Sequence, residues 1–145
     1  MSESLCPSCG GSLAPAARPG RTSRYGQLVA MLLPPNLLLP TCTTCRTFIV
    51  PSADAALAAE LRELYRSELG RRAAELLDLL HERFALSRLE RAVGLSQAYL
   101  SNVRNLRSCP SPALVSHLFA LARAPQLIAE TEDFWASPST VDVRW

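Results

Sequence analysis

Two Cys-x-x-Cys pairs, "CPSCGG" (Cys6, Cys9) and "CTTC" (Cys42, Cys45), lie 32 residues apart and use four of the five cysteines in the 145-residue chain. Within such a pair the backbone turns tightly enough to aim both sulfurs at one centre. Two pairs supply the four thiolates of a closed tetrahedral zinc site. Gly10 suits the turn after Cys9, because backbone amides must approach the sulfur and glycine accepts φ > 0. Arg46 after Cys45 is a less typical occupant of that place. A redox dithiol wants a βαβ setting and a disulfide wants an oxidising compartment, and the sequence offers neither. The expectation is one structural Zn²⁺ per chain, held by Cys6, Cys9, Cys42 and Cys45, with no open position for water.

Between the pairs, residues 12–23 are rich in Pro, Ala, Gly and Arg and read as a loop. Residues 25–33 and 36–39 read as two strands around the turn "PPN". Such a ribbon has too thin a core to stand without metal. Its apolar runs "LVAMLL" and "LLL" exceed what it can bury alone, so they pack on helices or meet a partner protein.

From residue 52 the pattern becomes helical. Ser52 is a plausible N-cap, and Asp54 in the first turn suits the helix dipole. Leu57, Leu61, Leu64, Tyr65 and Leu69 make one apolar stripe. Gly70 is expected to interrupt it, and Ala73, Leu76, Leu77, Leu80 and Phe84 then repeat it. Fewer than three heptads per stripe argues for core-facing or connecting helices over a coiled coil.

From Leu86 the chain reads "LSRLERAVG", "LSQAYLSNVRNLRSCP", "SPALVSHLFALAR" and "APQLIAETEDFW". Leu86, Leu89 and Val93 share one helical face, Gly94 takes a tight turn, and Ser96 can cap a second helix. That helix points Tyr99, Leu100, Val103 and Leu106 inward, and Leu114, Val115, Leu118, Phe119 and Leu121 back it from a third. Helix, glycine turn and helix on an apolar support describe a helix-turn-helix domain.

The run from Leu89 through Ser101, followed by "CPSPALVSHLFAL", resembles the repressor-type helix-turn-helix of the XRE/Cro family. Together with the N-terminal double Cys-x-x-Cys, the chain is similar to MqsA-type antitoxins, which pair a zinc-binding N-terminal half with a DNA-binding C-terminal half. The phrase "LARAPQLIAE" resembles that family's closing helix. The chain departs from the family at three places. Glu90 stands where a small Ala is preferred, Leu106 replaces the Gly that usually ends the recognition helix, and Ala98 and Asn102 stand at the base-reading positions. The operator sequence should differ accordingly.

The expected fold is mainly α with a small β zinc ribbon. It comprises a four-cysteine zinc-ribbon domain (1–51), connecting helices (52–84), an XRE-like helix-turn-helix domain (85–135) and a flexible tail (136–145) in which Trp145 could anchor a partner. The polar row Gln97, Ala98, Ser101, Asn102 and Asn105 is expected to face base edges, since Gln and Asn can bond adenine in pairs and the Ala98 methyl can meet a thymine methyl. Ser96, Arg88, Arg91, Arg104 and Arg107 suit phosphates. One such helix binds weakly, so a homodimer on a palindromic operator is expected, joined through residues 124–135 with Leu127, Ile128, Phe134 and Trp135.

The implied function is a zinc-containing, antitoxin-like transcriptional repressor that binds double-stranded DNA and, through its N-terminal half, a toxin or other protein. Two alternatives stand beside it. One is a regulator whose ribbon docks on the transcription machinery or senses metal, and the other a protein-interaction adaptor that has lost DNA binding. Net charge of +2 is by itself a weak electrostatic argument for a nucleic-acid partner, and the near-neutral C-terminal part keeps the adaptor alternative open. All fifteen cationic residues are Arg, for which a GC-rich genome is the simplest cause. No nucleophile–base set, phosphate loop or carboxylate pair is visible, so a non-enzymatic role is expected. The start "MSESLCPSCG" shows no secretory signal and the longest apolar run, 28–33, is too short for a membrane span, so a cytoplasmic, nucleoid-associated bacterial protein is expected. His117 is expected in a packing or edge role, and Cys109 as a packed thiol.

Overall fold

In the computed structural model, which describes residues 5–26 and 28–138, the N-terminal segment forms two antiparallel ribbons. Strand β1 (Leu13–Ala16) pairs with β4 (Leu39–Cys42), and β2 (Thr22–Tyr25) pairs with β3 (Val29–Leu32). The expected loop at 12–23 thus contains β1 and the start of β2, the expected strand at 25–33 takes in the end of β2 and all of β3, and of the expected strand at 36–39 only Leu39 belongs to β4. Proline content hid β1. Pro15 faces Pro40 across the ladder, at a register position that needs no N–H from either strand.

Arg21 holds the two ribbons to each other. It is 3% exposed, and its guanidinium donates to the carbonyls of Arg18 (3.1 Å), Ala16 (3.3 Å), Pro34 (3.2 Å) and Leu37. Its own carbonyl accepts from the Leu33 amide at 2.8 Å, and it lies 5.8 Å from the Phe48 ring centroid. A buried cation without a carboxylate is tolerated only when its donors are met, and four main-chain oxygens meet them here. Leu33 and Leu39 then pack with Leu57 and Leu61 of the following helix, flanked by Tyr25, Leu37 and Phe48. Tyr25 stacks on Tyr65 with ring centroids 4.3 Å apart.

Helix α1 runs Ala55–His81 without a break. Asp54 caps it, accepting the Leu57 amide at 3.0 Å, so Ser52 lies outside the helix. Gly70 does not interrupt α1. A mid-helix glycine costs about 1 kcal/mol, and the ion pairs Glu68–Arg71 and Glu68–Arg72, at 2.6 and 2.7 Å, span it, with Arg71–Glu75 continuing beyond it at 2.6 Å. Each such pair offsets about 0.3–0.5 kcal/mol, and buried Leu69 and Ala73 add packing on either side. Hydrogen bonds from Arg71 hold the Glu68 carboxyl at about 2.

The chain divides into two units inside α1, between Tyr65 and Arg66. The segment 52–84 is therefore no separate body. Its first part belongs with the ribbons and its second with the C-terminal helices. Those are α2 (Leu86–Val93), α3 (Tyr99–Arg104), α4 (Pro112–Arg123) and α5 (Gln126–Ala136). Their core is Ala73, Leu77, Leu80, Leu89, Leu100, Val103, Leu118, Leu121 and Ile128. The expected inward positions are met except for Leu106 and Phe119, which are exposed. Ser111 caps α4 by accepting the Leu114 amide at 3.1 Å. Residues 139–145, including Trp145, lie outside the described residues.

Helices α2 and α3 end in the same way. After α2, Gly94 takes φ +73°, the Leu95 amide donates to Glu90 at 2.9 Å and the Gly94 amide to Arg91 at 3.3 Å. After α3, Leu106 takes φ +60°, the Arg107 amide donates to Asn102 at 2.8 Å and the Leu106 amide to Val103 at 3.1 Å. Both are left-handed terminations that glycine suits best. Leucine at the second is strained by about 1 kcal/mol. Its side chain is 68% exposed, so removing it forfeits little packing. Leu106→Gly should raise thermal stability by up to about 1 kcal/mol, read by calorimetry. A lower melting temperature would show that the leucine side chain matters more than its backbone strain.

Candidate metal centre and nucleic-acid interface

Four sulfurs converge at one end of the β1–β4 ribbon. Cys6, Cys9, Cys42 and Cys45 place their Sγ atoms within 4.8 Å of one another, and no pair is bonded as a disulfide. Cys6 lies 3.6 Å from Cys45, and Cys9 lies 3.4 Å from Cys42. Tetrahedral ligation with metal–sulfur bonds of about 2.3 Å requires sulfurs about 3.8 Å apart. The four residues could hold a metal ion.

The two pairs are built alike. In the first, the Cys6 amide donates to Gly11 O and the Gly10 amide to Cys6 O, both at 2.8 Å. In the second, the Cys42 amide donates to Thr47 O at 2.9 Å and the Arg46 amide to Cys42 O at 3.1 Å. Gly10 takes φ +76° and Arg46 takes φ +62°. Arg46 thus occupies the turn that suits glycine, and its carbonyl accepts from Arg18 at 3.0 Å. Register completes the arrangement, since Leu13 pairs with Cys42 and brings the first knuckle beside the second.

The thiols are unequal. The Thr47 hydroxyl, 3.3 Å from Cys45 Sγ, and the Thr47 amide lower Cys45 to about 6. Amides of Cys45 and Thr44, each 3.4 Å from Cys42 Sγ, lower Cys42. At Cys9 the Gly11 amide pulls downward, but the Cys42 and Cys45 sulfurs and desolvation outweigh it and push the thiol up to about 11. Crowded thiolates resist full ionisation until a cation joins them. That electrostatic frustration fits a metal site.

Sequence reasoning missed Thr47, whose role depends on the fold. It also missed Gly11, for which the doubled glycine of "CPSCGG" was a signal. A methyl at Gly11 would stand 2.9 Å from Cys42 Sγ, 2.9 Å from Thr44 Oγ1 and 3.3 Å from Cys9 Sγ.

The second candidate site surrounds α3. Leu100 and Val103 are wholly buried, whereas Gln97, Ala98 and Asn105 are exposed and Ser101 and Asn102 half-buried. The polar row lies where expected relative to the core, but α3 begins only at Tyr99. Ser96 does not cap it with its side chain. Instead its carbonyl accepts the Tyr99 amide at 3.3 Å, and Ala98 precedes the helix at φ +66°. Gln97 and Ala98 therefore sit in the turn before the helix.

Of the four arginines expected at phosphates, two are engaged. Arg88 donates from Nε and Nη2 to Glu132 Oε1 (3.0 and 2.7 Å), holding that carboxyl below its ordinary range. Arg104 pairs with Asp78 at 2.7 Å. Arg91 and Arg107 are exposed and have no ion pair among the described residues. Glu90, in the place of a small residue, is 5% exposed. On α5, Ile128 is buried in the core and unavailable to a dimer, whereas Phe134 and Trp135 are exposed and meet edge to face at 5.1 Å. Cys109 and His117 are exposed, so the thiol expected to be packed is not. No helix of the described residues is long and apolar enough to cross a membrane.

The chain matches no protein-family profile, and no curated protein shows significant similarity to it.

Gly11→Ala should abolish stoichiometric metal retention while leaving the α-helical circular dichroism of residues 66–138 largely intact. Metal analysis after dialysis checks this. Retention of one ion per chain would mean that the four sulfurs are not the binding site.

Proposed function

We propose that this protein is a zinc-containing, sequence-specific DNA-binding transcriptional repressor of antitoxin type. The observation that carries the reading is the two-sidedness of α3 and its preceding turn. Leu100 and Val103 are anchored in the core while Gln97, Ser101, Asn102 and Asn105 form a polar row on the other side. With α2 and the left-handed Gly94 turn before it, this arrangement supports a helix-turn-helix whose second helix enters the major groove. Gln97 and Asn102 read adenine edges, the Ala98 methyl meets a thymine methyl, and Ser101 and Asn105 complete the contact. Arg91 and Arg107 bind phosphates.

Zinc is the ion that four soft thiolates in tetrahedral array favour, and with no position left for water it holds structure. Exposed Leu28, Leu32 and Leu38 on the ribbon unit support a protein partner there, a toxin in the antitoxin reading. A homodimer joined through Phe134 and Trp135 presents two α3 helices about 34 Å apart to a palindromic operator.

Fluorescence anisotropy on DNA from upstream of the protein's own coding sequence tests the reading. Affinity should fall steeply as salt rises. Gln97→Ala with Asn102→Ala should weaken binding by about 10²-fold or more, on the scale of two base contacts at about 1–3 kcal/mol each. Undiminished, salt-insensitive binding by the double variant would remove the groove assignment and leave the adaptor reading.

A further inference from the structure

A cleft of about 440 Å³ opens between the second half of α1 and the chain leaving α3, with Arg66, Arg71, Asp78, Leu106, Arg107 and Cys109 in its walls. Charge there is unevenly compensated. Arg71 is tied to Glu68 and Glu75, and Asp78 is tied to Arg104. Both carboxylates in the wall, Glu75 and Asp78, are thereby neutralised. Arg66 and Arg107 make no ion pair among the described residues, and the hydroxyls of Ser67 and Ser108 line the same space.

The two uncompensated guanidiniums come from segments far apart in sequence that the fold joins. The Cys109 thiol lies 3.9 Å from the Arg66 carbonyl. The left-handed turn at Leu106 ends α3 and places Arg107 and Ser108 in the wall. The Arg107 and Ser108 amides both donate to the carbonyl of Asn102, at 2.8 and 3.4 Å. Arg107 is thus fixed to a residue of the polar row by its own backbone.

We propose that Arg66 and Arg107 together clamp a phosphodiester of the DNA backbone in this cleft. The proposal rests on the DNA-binding reading above and adds Arg66, an α1 residue outside the helix-turn-helix, to the contact surface. A guanidinium matches two phosphate oxygens at once, and a pair aimed into one cleft fixes the strand's position without reading its sequence. In register with Asn102, the clamp sets how deeply the polar row enters the groove.

The test uses the whole metal-loaded chain, with Arg66→Gln and Arg107→Gln singly and together, and Arg123→Gln, at an exposed position of α4, as a control. Anisotropy is measured on the operator and on a scrambled duplex from low to moderate salt. The double variant should weaken by the same factor, tenfold or more, on both duplexes. Its plot of log affinity against log salt should flatten by about one unit, about 0.9 for the one phosphate charge no longer neutralised. Arg123→Gln should change neither.

An unaltered salt slope, or a weakening confined to the operator, overturns the clamp while leaving the DNA-binding reading in place. Failure of the unsubstituted protein to bind either duplex overturns both. Thermal stabilisation by inorganic phosphate that is abolished in the double variant, with duplex affinity unchanged, assigns the cleft to a small free anion and likewise overturns the clamp.

Discussion

Four thiol groups crowded within 4.8 Å set the terms for the N-terminal half of this molecule. Two ribbons of four-residue strands have little apolar surface to hold them, and a chain segment of this size ordinarily needs a metal or a cross-link. The knuckles answer that need twice over with the same pair of backbone hydrogen bonds, once around glycine and once around a strained arginine. Without a cation the site is under electrostatic tension, with Cys45 inclined to ionise and Cys9 resisting. A doubly charged ion held by the four sulfurs would relieve that tension and close the loop between the pairs. Beyond the knuckles, Arg21 and the Leu33–Leu39–Leu57–Leu61 cluster hold the ribbons to each other and to the start of α1.

The C-terminal half is held in a different way, by a continuous apolar core. Side chains from α1 to α5 meet with little or no exposure, and they fix short helices that have no stability of their own. The six residues of α3 illustrate the point. It has no side-chain N-cap and ends at a leucine in a left-handed conformation, so Leu100 and Val103 anchor it. The polar groups on its other side are thus presented by a tightly held element.

Sequence reasoning reached the features that depend on spacing and period. The Cys-x-x-Cys spacing pointed to the four cysteines whose sulfurs converge, and the 3.6-residue stripe picked out Leu57, Leu61, Leu69, Ala73, Leu77 and Leu80 as the buried side of α1. It failed where tertiary contacts override local signals. Gly70 reads as a break but is carried inside the helix by flanking ion pairs, and Asp54 takes the cap that Ser52 could have taken. Strands β1 (LAPA) and β2 (TSRY) carry a proline and an arginine in place of an apolar alternation, and they pair where the first knuckle and Arg21 hold the chain. Arg88 and Arg104 look like free surface cations in the sequence, yet Glu132 and Asp78, distant along the chain, claim them. Leu106 fell outside the core because the helix ended two residues before it.

These two halves give the proposed repressor a division of labour, a metal-held ribbon for a protein partner and a packed helical unit for DNA. The ribbon's half of that scheme stands on the identity of the bound ion and its ligands. Zinc-edge X-ray absorption on the purified 145-residue chain reads both at once. A first shell of four sulfurs at about 2.3 Å and nothing lighter is expected. A shell containing nitrogen or oxygen, or a folded protein that carries no zinc, would contradict it.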